Sequence, residues 1–157
     1  MFSCLISIYY KETPDFLQEC LQSILDQTFV VQELIIVKDG PLTDSLELIL
    51  KRYSELFKKN GTLWSTVSLD QNVGLGSALN EGVKYCSSEY IMRMDSDDLI
   101  HFDKIEIQLN AFIKSKSILM GTSGYLIDST DKILGNINLP TQNDQIIKSM
   151  MRFNSSI

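Results

Sequence analysis

The 157-residue sequence is poor in the groups that several common chemistries require. It has three cysteines, Cys4, Cys20 and Cys86, and a single histidine, His101. The cysteines are odd in number, lack Cys-x-x-Cys spacing and each sit in an apolar pattern. That excludes a disulfide framework and a zinc site of recognised spacing, and reads as buried small hydrophobes in a reducing compartment. Positive charge is also short, with 14 Lys and Arg against 20 Asp and Glu and a net charge of −6 at pH 7. Nucleic acid and anionic membrane surfaces are held mainly by Lys and Arg, so no nucleic-acid partner is expected. No apolar run approaches the ~20 residues that span a bilayer. No basic segment followed by an apolar stretch opens the chain as a signal peptide would. The expected location is cytoplasmic, or peripheral at the inner face of the membrane in a longer protein. A Gly-x-x-x-x-Gly-Lys phosphate loop is missing, which excludes a Walker-type NTPase.

What is present is ordinary for a folded domain: 44% hydrophobic and 22% charged residues, in a chain long enough for one core. Strand and helix patterns alternate. Cys4 to Tyr9, Leu34 to Val37, Leu63 to Leu69 and Tyr90 to Met94 read as strands, the near-continuous apolar ones buried on both faces. Thr13-Pro14 reads as the cap and first position of a helix whose apolar face is Phe16, Leu17, Cys20, Leu21, Ile24 and Leu25. Further helices are predicted over Leu46 to Phe57, over Gly76 to Tyr85 with Leu79 and Val83 inward, and from an Asp103 cap to about Lys114. Leu119 to Ile127 and Ile133 to Gly135 read as strands around an Asp128-Ser129-Thr130-Asp131 turn. Ile146 to Met151 reads as the start of another helix. The pattern predicts an α/β fold with a mainly parallel sheet flanked by helices, and ligands outside the carboxyl ends of its strands. Residues 1–157 are expected to form a single domain, cut short at its C-terminal side.

The chemistry-bearing residues follow the predicted strands. Asp95, Asp97 and Asp98 come within four residues directly after Met94, with no accompanying pattern of protein cations. Like charges so close call for a cation, and a hard divalent ion such as Mg²⁺ or Mn²⁺ takes oxygen ligands from one or two carboxylates plus substrate phosphates. An acidic surface turn capping the next helix is the plainer alternative. An EF-hand fails because Leu99 stands where its glycine is required. Asp39, before Gly40-Pro41, suits a ribose or base contact, and equally a turn-initiating aspartate. Asn72-Val73-Gly74-Leu75-Gly76 opens a helix with a glycine-containing loop, but Leu79 occupies the place of the third glycine of a dinucleotide fingerprint.

Together these segments resemble family 2 glycosyltransferases of the GT-A fold. The resemblance runs from Ser7 to about Gly124. It rests on Ser7-Ile8-Tyr9-Tyr10-Lys11-Glu12 with Ser23-Ile24-Leu25 and Gln27-Thr28, on Val37-Lys38-Asp39-Gly40-Pro41-Leu42-Thr43-Asp44, on Asn72-Val73-Gly74 with Ala78-Leu79-Asn80 and Gly82, and on Arg93-Met94-Asp95-Ser96-Asp97-Asp98. The wording is similar to the bacterial polysaccharide-synthesis branch. The resemblance implies that Tyr9 and Glu12 line the nucleoside pocket, that Asp39 contacts base or ribose, and that Asn72 and Gly74 border the nucleotide. It implies that Asp95 reaches the ribose and metal region and that Asp97 is the main metal ligand. Lys38 departs from relatives that carry an aspartate there. The implied partners are a nucleotide-diphosphate sugar donor and a glycan or lipid-linked acceptor, and the implied cofactor is a divalent metal, Mn or Mg. The catalytic base normally lies in the acceptor half and is not assigned; Asp128 and Asp131 are the first candidates if this chain transfers sugar by itself. A Met150-Met151-Phe153 cluster is expected to favour homo-oligomers. A nucleotidyltransferase and a non-catalytic sugar-nucleotide-binding domain are the other readings.

Overall fold

A computed structural model of the chain describes residues 2–115, 117–128, 130 and 132–153. Ser129 and Asp131 of the expected turn, and the Asn154 to Ile157 tail, lie outside the described residues, as do the side chains of Met150 and Phe153 in the expected apolar cluster. The chain forms two compact units, 1–111 and 112–157.

The first unit runs β1 (Phe2–Ile8), α1 (Pro14–Leu25), β2 (Glu33–Lys38), α2 (Asp44–Lys59), β3 (Leu63–Ser68), α3 (Leu75–Val83) and β4 (Tyr90–Asp95), and enters α4 (Lys104–Ser115). Its four strands pair in the order β3-β2-β1-β4, every pair parallel. Period-two alternation sorts the strand side chains. Cys4, Ile6, Ile8, Leu34 and Ile36 join α1, α2 and Ile105 of α4 in one core cluster, while Leu5, Ile35 and Val37 join Ala78 of α3 in another. The sheet is thus covered on both faces, as parallel sheets require. Cys4 and Cys20 are fully buried, and burial pushes the Cys4 thiol up to about 12 and the Cys20 thiol higher still, so both stay protonated and inert.

Several expectations are corrected here. Burial on both faces holds for β1 and β2 but not for β3 and β4, where Leu63, Ile91 and Arg93 are exposed because those strands lie at the ends of the sheet order. Phe16 and Val83 face solvent, at 43% and 46% exposure. In α3 Leu79 packs partly buried against the core as expected, but Ala78 and Gly82 take the place of Val83, because the helix lies so close to the sheet that a Cβ on Gly82 would meet Leu5 Cδ1 at 2.5 Å and Val37 Cγ2 at 2.6 Å. Thr13 stands at the cap of α1, but its side chain makes no cap bond; the Glu12 carboxylate accepts the Thr13 N–H at 2.8 Å. α2 is capped as its sequence allows, with Thr43 Oγ1 accepting from Leu46 N, acids in its first turn and Lys58 and Lys59 in its last.

The second unit holds an antiparallel hairpin, β5 (Gly124–Ile127) and β6 (Ile133–Ile137), followed by α5 (Asn143–Phe153). The strand expected from Leu119 begins only at Gly124. Asp128 organises the hairpin turn: one of its carboxylate oxygens accepts from Thr130 N, Thr130 Oγ1 and Lys132 N. Those hydrogen bonds, from Thr130 first, hold its carboxyl below the ordinary value.

Candidate functional site

The order of the sheet locates the site. The chain steps outward from β1 to β2 to β3, then returns through α3 to place β4 on the other side of β1. β1 and β4 are therefore parallel neighbours whose following loops lead away in different directions, the switch point at which α/β sheets open a crevice. The register sets the strand ends level: Ile8 pairs Lys38, Lys38 pairs Ser68, and Ser7 pairs Asp95. Tyr9 to Glu12, Asp39, Asn72 to Gly74 and Asp95 to Asp98 consequently emerge along one edge. They form two bonded groups.

The first group centres on Asp39, which is only 2% exposed. Its Oδ1 accepts from Val73 N at 2.7 Å and its Oδ2 from Gly74 N at 3.1 Å, while its carbonyl accepts from Asn72 Nδ2 at 3.3 Å. Its own N–H donates to Ile8 O at 2.8 Å, which ties the group to the end of β1. Gly40 and Gly74 both adopt positive φ, at 87° and 86°. A Cβ on Gly40 would stand 2.8 Å from Asn72 N, so the loops after β2 and β3 touch backbone to backbone. Lys38, on the other side of the strand, is paired with Glu47 at 2.8 Å.

The second group spans the switch point. Ser96, 6% exposed, donates its hydroxyl to the Glu12 carboxylate, joining the loop after β1 to the loop after β4. Tyr9 and Tyr10 stand beside it, 42% and 51% exposed, with their rings edge to face at 5.9 Å. The expectation that no protein cation accompanies the aspartates is corrected: Arg93 forms an ion pair with Asp95. Both are two residues apart on β4 and point to the same side. Asp97 and Asp98 are exposed, and among the described residues Asp97 has no hydrogen-bond or ion-pair partner. Partial burial, then repulsion from Asp95 and Asp97, raises the Asp98 carboxyl above its ordinary value. Among the described residues no three His, Cys, Asp or Glu side chains gather into a ready-made metal cage. Asp95 and Asp97 are nonetheless all-oxygen donors of the kind that hold Mg²⁺ or Mn²⁺ together with substrate phosphates.

Buried carboxylates elsewhere behave differently. Glu33, at the amino end of the sheet, is pushed up by burial, but hydrogen bonds from Ser3 and Ser87 outweigh this and hold its carboxyl below the ordinary value. Sequence reasoning gave no role to Ser96, Ser23 or Gln27, although all three lay in the segments it singled out. For Ser23 the available signal was a polar residue beside the apolar face of α1; Gln27 and Ser96 lie in loops, where periodicity offers none.

The family model described as Glycosyl transferase family 2 matches residues 4–154. An uncharacterized glycosyltransferase of Haemophilus influenzae is 38% identical over 94% of this chain and 54% of its own length. The amylovoran biosynthesis glycosyltransferase AmsE of Erwinia amylovora is 39% identical over 70% of this chain and 40% of its own length. A UDP-Gal:alpha-D-GlcNAc-diphosphoundecaprenol beta-1,3-galactosyltransferase of Escherichia coli is 35% identical over 74% and 41%. Among solved structures, S. aureus TarS 1–349 in complex with UDP superposes with a TM-score of 0.60 and 27% identity, over 73% of this chain and 32% of that one. The chain spans about half the length of the curated relatives it matches. With a parallel GT-A sheet, its loops gathered at the switch point and a family match over nearly its whole length, the chain belongs to glycosyl transferase family 2.

Proposed function

We propose that residues 1–157 are the donor-binding domain of a glycosyltransferase that moves a sugar from a nucleotide-diphosphate sugar to a glycan or lipid-linked acceptor in cell-surface polysaccharide synthesis. The observation that carries this reading is Asp97, exposed and without a partner among the described residues, at the β1–β4 switch point beside the Glu12–Ser96 bond. The family match through both compact units supports a single domain, and the names of the relatives support the reaction class. No described helix is long and apolar enough to cross a membrane.

In this reading the loops divide the donor between them. Tyr9 and Glu12 line the nucleoside, with the exposed Tyr9 ring offering a flat face for the base. Asn72 and Gly74 border the nucleotide on a loop that Asp39 fixes in place. Asp97 is the principal metal ligand and Asp95 the second, once its oxygen is shared with or released by Arg93. A divalent cation held there would offset the charge that grows on the diphosphate as the sugar leaves. Asp128 is occupied in its hairpin turn and is a poor base, so the group that deprotonates the acceptor is assigned to no described residue.

The test is calorimetry of the chain with UDP, GDP and dTDP sugars, with and without Mn²⁺. One of the donors is expected to bind, with an affinity that depends on Mn²⁺ in the parent and not in Asp97→Ala. Binding of none of them, or metal-independent binding in the parent, would overturn the respective part of the reading.

A further inference from the structure

The segment from Asp95 to Asp103 carries the aspartates and has no regular secondary structure after its first residue. It is held along its length by one stretch of chain, the second half of α1 and the residues just beyond it. Cys20 Sγ approaches Asp95 O at 3.5 Å. Ser23 Oγ accepts from Ile100 N at 3.3 Å. Gln27 Nε2 donates to His101 O at 2.8 Å and to Ser23 O at 3.0 Å, and its Oε1 accepts from Ile105 N at 3.1 Å. Thr28 N donates to Phe102 O at 2.8 Å. Cys20 and Ser23 are three residues apart on α1, adjoining the apolar Leu17, Leu21 and Ile24, and Gln27, just beyond the end of the helix, continues their line by donating back to Ser23 O.

Burying an amide is costly unless its donors and acceptor are used. Gln27 is 7% exposed and uses both ends of its amide, and two of its three bonds reach the segment that follows the aspartates. We propose that this polar line is a positioning device for the donor site, with Gln27 its central residue: by fixing 100–105 it holds Asp97 and Asp98 where a cation and a diphosphate can reach them. Glu12, ahead of the same helix, fixes Ser96 from the other side, so α1 grips the aspartate turn at both ends. The proposal rests on the reading of Asp97 as a metal ligand, and its test has one readout that does not.

The variants are Gln27→Leu, which removes every polar contact, and Gln27→Glu, which keeps the acceptor for Ile105 N but loses both donors. The control is Thr62→Val, which removes a buried bond from Thr62 Oγ1 to Val31 O, 2.7 Å, at the amino end of the sheet. Amide exchange by NMR is followed at Asp98 and Ile100, neither of which bonds to Gln27. In both Gln27 variants these amides are expected to exchange about tenfold faster, with no such change in Thr62→Val. In the same proteins the Mn²⁺ concentration that half-saturates binding of whichever of UDP, GDP or dTDP the parent binds is expected to rise about tenfold, again not in the control. Parental exchange at Asp98 and Ile100 in the Gln27 variants, equal acceleration in Thr62→Val, or an unshifted Mn²⁺ requirement would each overturn the positioning role. A parent with no Mn²⁺ requirement would count against the metal reading of Asp97, and the exchange comparison would then decide the role of Gln27 alone.

Discussion

Two acidic loops leave the same edge of one sheet and have opposite characters. Asp39 is buried, and each of its oxygens already accepts a backbone N–H from the loop after β3. Asp97 is exposed and bonded to nothing among the described residues, while its neighbour Asp98 is raised in part by repulsion from it. A carboxylate at a strand end is therefore not one kind of residue. Where protein N–H groups converge on it, it builds the site; where other carboxylates surround it, it leaves a charge for something outside the chain to balance. The difference arises one residue away from each. Gly40 lets the β2 loop touch Asn72, whereas Ser96 turns toward Glu12 and leaves Asp97 outward.

The sharpest way to break the comparison is at Gly40. Gly40→Ala adds a Cβ 2.8 Å from Asn72 N in a backbone with φ of 87°, and backbone cannot yield as a flexible side chain would. Positive-φ strain and overpacking together predict a loss of about 2–5 kcal/mol in denaturant unfolding. Parental stability would show that the two loops are not in contact. Asp39→Ala comes next. It removes the acceptor of two charge-assisted bonds, with an expected cost of about 2–4 kcal/mol, reduced where water can reach the freed Val73 and Gly74 N–H groups. Because the damage is to the loop, nucleotide affinity should fall by similar factors for UDP, GDP and dTDP. A loss confined to one base would mean that Asp39 acts by reading that base.

Asp97→Ala should behave the other way. Folding should stay within about 0.5 kcal/mol of the parent, because an exposed side chain without partners among the described residues is removed. Metal-dependent nucleotide binding should fall by about a hundredfold, or about 2.8 kcal/mol. Loss of stability without loss of binding would reverse the roles assigned to Asp39 and Asp97.

The alternation of strands and helices was legible because it depends on local periodicity, and Ile35 with Val37 or Leu17 with Leu21 declare their faces without help. The strand order was not, since nothing local in Ile91 or Leu63 says that its strand will lie at an edge. Val83 misled because the hydrophobic rule ignores distance: α3 packs through Ala78, Leu79 and Gly82, and there is no room for a larger residue at Gly82. Of the site, the residues were legible and their partners were not. Asp39 reads as a turn or a ligand contact from sequence, and only the approach of Gly40 to Asn72 makes it a clamp. Arg93 lay in view two residues before Asp95, yet pairing them required knowing that both emerge on one side of β4.

The smallest expected effect concerns Asp98, and its sign separates a structural carboxylate from a waiting one. Partial burial, then Asp95 and Asp97, raises the Asp98 carboxyl above the ordinary 3.8. A raised acid binds its proton more readily in the folded protein than in the unfolded one, so its charged form destabilises the fold. That penalty is absent below pH 3.8, grows as pH rises toward the raised folded value, and is complete above it. Asp98→Asn should therefore stabilise the chain at pH 7, by less than about 1 kcal/mol because exposed charges are screened. The gain should vanish as the pH is lowered to 3.8, and should shrink with added salt. Glu33→Gln should show the opposite sign, destabilising at pH 7 and converging on the parent as the pH falls through the lowered folded value, because hydrogen bonds from Ser3 and Ser87 favour the charged form. In the proposed donor complex the cation would supply the missing positive charge, so with saturating Mn²⁺ and nucleoside diphosphate Asp98→Asn should lose its advantage in thermal unfolding. An Asp98→Asn chain that is less stable than the parent at pH 7 without ligand would place Asp98 with Asp39, among the carboxylates that the fold itself has already satisfied.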